Sequence, residues 1–173
     1  RQEDATLHAL PASTAAELAK LAPEIDARLG PLPPNPPLPP NEERLRLFDH
    51  VGRFLQGLAA PNGLLIFLDD LHWADQGTLS LARYLLRSMR NDKVMALAAY
   101  REVELNRAHP LAAALVDWNR GRWVTRLPLG RFSQEDTKDL LASLLETREI
   151  SPDFVSLVYR ETEGNPFFIE EVI

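Results

Sequence analysis

The stretch LLIFLDDLHWAD, residues 64–75, runs five apolar side chains straight into two adjacent carboxylates, Asp69 and Asp70. Like charges this close raise each other's cost until a cation or a proton relieves the repulsion. A divalent ion does so well. Hard carboxylate oxygens suit Mg²⁺, which keeps several waters and takes further ligands from phosphate groups. An apolar run closed by two acids and followed by an amphipathic helix therefore reads as a Walker B signature, in which the buried strand fixes the acids and the acids face a metal-phosphate site. In the plainer reading the pair only ends a strand and caps the next helix, but Asp75 already stands at the cap position.

The elements that must hold this pair follow from periodicity. Leu64–Leu68 predicts a strand, and Asp75 opens a helix that turns Leu79, Ala82, Leu85, Leu86 and Met89 inward. A second apolar strand is expected over Val94–Tyr100, ending on Arg101, then a helix from His109 with Pro110 in its first position, then a weaker third strand over Trp123–Leu127. Strands alternating with amphipathic helices indicate an α/β fold, a parallel sheet of about three strands buried on both faces. In such sheets ligands bind outside the carboxyl ends of the strands, so Asp69, Asp70 and Arg101 are expected at one crevice. The plain alternative for Arg101 is an ion pair with Glu102, Glu104 or the two aspartates.

On either side of this layer the pattern changes. Ala15, Leu18, Leu21, Ala22 and Ile25 predict an amphipathic helix over Ala12–Ala27. The next segment, GPLPPNPPLPPN (residues 30–41), holds seven prolines and reads as a stiff surface connector, with a polyproline ligand for a partner domain as the alternative. A helix restarts at Asn41 with Glu42 and Glu43 in its first turn and Leu45, Phe48, Val51, Phe54, Leu55 and Leu58 on one face, and APNG ends it. Beyond Gly130 only helices are expected: one capped by Ser133 and Asp136, one starting at Ser151-Pro152 and closed by Gly164, and one opening at NPFFIEEVI. The chain is accordingly divided into a helix and connector (1–40), an α/β core (41–130) and a small helical lobe (131–173).

Bulk properties narrow the function. With 173 residues, 45% of them hydrophobic, the chain can bury a sizeable core. A net charge of −6 argues against a broad nucleic-acid surface. The absence of cysteine removes disulfides, thiolate metal sites and cysteine nucleophiles. The longest apolar run is far short of a membrane span, and no signal peptide opens the sequence, so a cytoplasmic location is expected. His8, His50 and His109 lack metal-ligand spacing, and neither GxSxG nor HExxH occurs. His72 reads as a local structural bond, with sensing of the nucleotide state or a hydrogen bond to the acids as the alternative, and Trp73 as a packing residue.

Four segments together, LLIFLDDLHWAD, ALAAYR, LPLGRFSQEDTKDLLASLL and TEGNPFFIEEV, resemble the ATPase module of STAND proteins, the signal-transduction ATPases with numerous domains. The likeness is closest to the AAA-type ATPase domains of large LuxR-type transcriptional regulators and of adenylate-cyclase-associated ATPases. That resemblance implies a partial P-loop NTPase, AAA-like parallel sheet followed by a small helical lobe, with Mg-ATP as ligand. Asp69 would hold Mg²⁺ directly or through water, and Asp70 would orient or deprotonate the attacking water where many relatives carry Glu. Arg101 would be the sensor arginine at the γ-phosphate. Gly164, Asn165 and Pro166 match the GxP motif of the helical lobe, whose proline packs near adenine. The implied partners are ATP or ADP and other domains of the same protein, such as sensor repeats and a helix-turn-helix or cyclase output, with self-association possible and no direct contact of this segment with nucleic acid or membrane.

A P-loop ATPase also needs GxxxxGK[ST], and the eight glycines here are scattered without one. In the family the missing strand lies between the sensor strand and the last strand. The chain is therefore expected to be a fragment of an ATPase, inactive alone, that rearranges, pairs with a second copy or covers the gap with its N-terminal segment. The alternative is a degenerate scaffold for protein contact without turnover. A DNA-bound, origin-recognition-like AAA+ protein is disfavoured by the sensor arginine and the acidic balance.

Overall fold

The computed structural model describes residues 7–147 and 149–173. It is α/β and forms two compact units, one ending at Thr125 and the other spanning Arg126–Ile173.

In the first unit, α1 (Ala12–Leu18) and α2 (Glu24–Leu29) replace the single helix expected over Ala12–Ala27. Pro23 lacks the amide hydrogen that a continuous helix would use, and it sits at the break. The buried face also differs. Thr14, Ala15, Glu17 and Leu18 are buried while Leu21 is exposed. Helix α3 (Pro40–Asn62) starts with proline at its first position and ends at Gly63, whose φ of +83° only glycine takes without strain.

The proline segment between α2 and α3 is tied down rather than loose. Asn35 donates to the Ser13 carbonyl at 2.8 Å and to Glu17 Oε1 at 2.9 Å, and Arg46 donates to the Pro36 carbonyl at 2.6 Å. Glu17, fully buried, is ion-paired with Arg46 at 2.7 Å and Lys20 at 2.9 Å. Thr14 Oγ1 and His50 Nδ1, 2.9 Å apart, add a second tie between α1 and α3.

Strand β1 (Leu64–Leu68) pairs in parallel with β2 (Val94–Ala98), Leu64 opposite Val94 and Leu68 opposite Ala98. Between them runs α4 (Gln76–Ser88), capped by Asp75, whose carboxylate accepts the Thr78 amide at 2.7 Å and is held below its ordinary pKa by that bond. Helix α5 (Pro110–Arg120) packs against α4, and Leu71, Leu79, Leu111 and Trp118 form the buried core beside them.

The third strand expected at Trp123–Leu127 is absent, and among the described residues the sheet has two strands. Trp123 and Val124 still pack against the core, and Arg87 lies 5.6 Å above the Trp123 ring. The physical reason is the ladder: extended backbone becomes a strand only beside a partner that completes its hydrogen bonds, and the resemblance inserts a glycine-loop strand between this segment and β2 that these residues do not contain. Nor is the sheet buried on both faces. Leu65 and Met95, paired on one face, are 63% and 64% exposed, and Phe67 and Leu97 beside them are exposed too.

The second unit holds α6 (Gln134–Leu144), α7 (Pro152–Thr162) and α8 (Pro166–Glu171) around Leu141, Val155, Val158 and Ile169. Ser133 and Asp136 form the expected capping box, which keeps the Asp136 carboxyl below its usual range. No helix among the described residues is long and apolar enough to cross a membrane.

Candidate functional site at the carboxyl edge of the sheet

Because β1 and β2 are parallel, their carboxyl ends share one edge, and the chain leaves each end by a tight turn. After Leu68 the backbone reaches Asp70 in the left-handed region, φ 50° and ψ 40°, a conformation that Asp tolerates better than most residues. Asp69 stabilises the bend by accepting the Asp70 amide on Oδ1 at 2.9 Å. The bend redirects the chain so that the Leu71 amide reaches the Ala99 carbonyl at 2.9 Å, and a single 3-10 turn, Leu71–Trp73, follows. Beyond β2 a second such turn, Glu102–Glu104, begins after Arg101.

The side chain that joins these two turns is His72, only 3% exposed. Its Nδ1 accepts the Arg101 amide at 3.4 Å. Nε2 lies 3.2 Å from Glu104 Oε2 and 3.8 Å from Asp70 Oδ1. The other Glu104 oxygen is 3.6 Å from Arg101 Nη1. A chain of alternating charge and hydrogen-bond capacity thus runs from Asp70 through His72 and Glu104 to Arg101. Of these only His72 is buried, and its ring is the one member costly to leave unpaired.

Asp69, Asp70 and Arg101 are brought to one edge of the sheet. The ion pair of Arg101 with Glu104 is also present. Gly164 and Pro166 lie together in the second unit: Gly164, at φ +70°, accepts the Phe132 amide at 2.8 Å, and Pro166 opens α8 behind the Asn165 cap. The left-handed residue that closes α7 is Glu163, one position before the expected Gly164.

Two members of the network stand outside the expected site residues. His72, expected to make a local bond with the acids as the alternative, crosses from one strand end to the other, and Glu104 is expected only as a partner for Arg101. Their union depends on the turn after β2, which residue spacing does not encode. Trp73 is not a packing residue, being 73% exposed with its ring tilted 5.2 Å from that of His72.

Among the described residues no group of three or more His, Asp or Glu side chains could hold a metal ion by itself. The hard-oxygen donors at Asp69 and Asp70 fit Mg²⁺ as a partial ligand set, completed by water and phosphate, which is the way this ion is ordinarily held.

Comparison with known proteins is brief. No curated protein matches and no solved structure matches. Residues 133–173 match a family described as a domain of unknown function, DUF8739. Residues 2–97, which include both aspartates, match the family described as AAA ATPase domain. Over more than half of its length, therefore, the chain belongs to the AAA ATPase domain family.

Proposed function

We propose that the chain carries the acid-and-arginine half of an Mg-ATP-dependent switch in a multidomain signalling protein of the STAND type. The observation that supports this most is the convergence of Asp69, Asp70 and Arg101 on the carboxyl edge of a parallel sheet, where α/β folds place their ligands. Asp69 is suited to hold the metal and Asp70 to orient or deprotonate a water. Mg²⁺, when bound, supplies charge neutralisation at the phosphates.

Arg101 is suited to a γ-phosphate by its fixed positive charge and forked donors. Its pairing with Glu104 is long and exposed, so a triphosphate has only a weak competitor to displace. That competition offers a switch: with phosphate present Arg101 turns to it, and without phosphate it returns to Glu104. Gly164 and Pro166, matching the GxP motif, are proposed to serve the nucleotide from the helical lobe. The parent protein is proposed to be cytoplasmic, with sensor and output domains in the same chain.

The phosphate cradle has to come from a glycine-rich loop that these residues lack. The test therefore uses a chain in which a segment carrying such a loop precedes these residues, titrated with ATP by calorimetry with and without Mg²⁺. Asp69→Ala is expected to weaken Mg-dependent binding by at least about tenfold, ~1.4 kcal/mol. Asp70→Asn should leave binding in place and lower turnover by roughly 10²–10⁴-fold, the usual contribution of a positioned base. Absence of ATP binding in the longer chain would leave the scaffold reading.

A further inference from the structure

We infer that residues Pro31–Pro39 form a preordered polyproline ligand for a partner protein domain with an aromatic-lined groove. The sequence of the segment is three-periodic: after Pro31 come Leu32-Pro33-Pro34, Asn35-Pro36-Pro37 and Leu38-Pro39-Pro40. A polyproline II helix turns once every three residues, so Leu32, Asn35 and Leu38 share one face and the prolines occupy the other two. The structure follows that division. Leu32 and Asn35 are half-buried against their own chain, Leu38 is 39% exposed, and all seven prolines face solvent. Pro39 has φ −54° and ψ 147°, in the polyproline II region.

A mere connector needs no anchoring, whereas this one is held at three successive points. The Asn35 amide reaches α1, the Pro36 carbonyl receives Arg46 from α3, and the Leu38 amide donates to Glu43 Oε1 at 3.4 Å. Every one of these ties is made by the inward face or the backbone. The outward ridges are left to solvent in a fixed shape. A ligand already held in its bound conformation loses little entropy on docking, which is the main reason polyproline segments bind well for their size.

The chemistry of the ridge selects its reader. Six of the nine residues have no amide hydrogen, so the segment offers carbonyl acceptors and ring faces and almost no donors. The complementary surface is a row of aromatic rings carrying indole or phenol donors, the design of SH3-type grooves. Charge sets the direction: Glu42 and Glu43 follow Pro40, so a groove with a basic rim at that end accepts the segment in one orientation.

The test titrates an isotopically labelled SH3 domain that accepts P-x-x-P ligands with the whole chain. Saturable shifts confined to the aromatic groove are expected. The paired variant Pro34→Ala with Pro37→Ala should weaken binding by about tenfold or more, as loss of central anchors does elsewhere. Glu42→Lys should weaken it further at low salt. The variant's own melting curve shows whether it remains folded, and if it does not, Pro33→Ala with Pro36→Ala on the other ridge takes its place. No saturable shift up to about 1 mM chain, shifts outside the groove, or an affinity unchanged in folded ridge variants overturns the proposal.

Discussion

Gly164→Ala is expected to unfold the second unit locally, at a cost of about 4 kcal/mol. Two penalties combine. The residue sits at φ +70°, where a side chain is strained, and it is buried. An added Cβ would also collide with the Phe132 carbonyl and lie 3.1 Å from Tyr159 Cε2, and a backbone carbonyl cannot rotate out of the way as a side chain can. The same carbonyl-to-amide contact that makes the space tight, Phe132 N–H to the Gly164 oxygen at 2.8 Å, fastens the segment before α6 to the α7–α8 junction. Amide hydrogen exchange on the whole chain checks the expectation: Leu141, Val155 and Ile169 should lose protection together. Gly164→Asn separates the two penalties, because Asn accepts positive φ yet still brings a Cβ. If Asn restores protection, crowding by Phe132 is not the cause. A corollary concerns the nucleotide reading, since loss of ATP binding on Gly164→Ala would report unfolding. Pro166 is the better probe of the GxP motif.

Glu17→Ala should cost the first unit about 3 kcal/mol, the low end of what removal of one partner from a buried ion pair costs, because Lys20 is half-exposed. The carboxylate satisfies Arg46 from α3, Lys20 from its own helix and Asn35 from the proline segment, so its loss leaves Arg46, only 17% exposed, facing the Pro36 carbonyl without its main counter-charge. Urea unfolding of the two proteins measures the difference; a midpoint shift corresponding to less than about 1 kcal/mol would mean that water replaces the carboxylate without penalty.

The pH dependence follows. Burial by itself would raise the Glu17 pKa, but hydrogen bonds from Lys20 and Asn35 and the charges of Lys20 and Arg46 outweigh it, holding the group below its ordinary 4.5. A depressed folded-state pKa means that the unfolded chain takes up the proton first. The stabilising contribution is thus complete above the ordinary value and fades as pH falls through the lowered one. The gap between wild type and Glu17→Ala should therefore narrow on acidification below about pH 4. A constant gap down to pH 2 would contradict the linkage.

The parts of the fold that were legible in the sequence are those decided within a few residues. Strand β1 was readable because an apolar run ending in two acids has one plausible exit from a core, and the caps at Asp75, Ser133 and Ser151 because each hydroxyl or carboxylate meets an amide two or three positions along. What depended on distant partners was not. Apolar periodicity carried a helix through Pro23 and assigned an inward face without Glu17, whose burial rests on an arginine and an asparagine many residues away. Trp123–Leu127 has the composition of a strand and no neighbour to make it one. In the site, the positions of Asp69, Asp70 and Arg101 could be placed from strand polarity, whereas the bridge from the buried His72 to Glu104 could not.

The bare face of the two-stranded sheet separates two kinds of apolar residue. Leu71, Leu111 and Trp118 are ones the chain keeps for its own cohesion. Leu65, Phe67, Met95 and Leu97 contribute little to it, being wet already, so Leu65→Thr with Met95→Thr should leave the melting temperature nearly in place while making concentrated samples scatter less light. Such thermally silent positions are free to drift unless something outside the fold requires them, and natural variants that nevertheless hold them greasy would be reporting on that outside requirement.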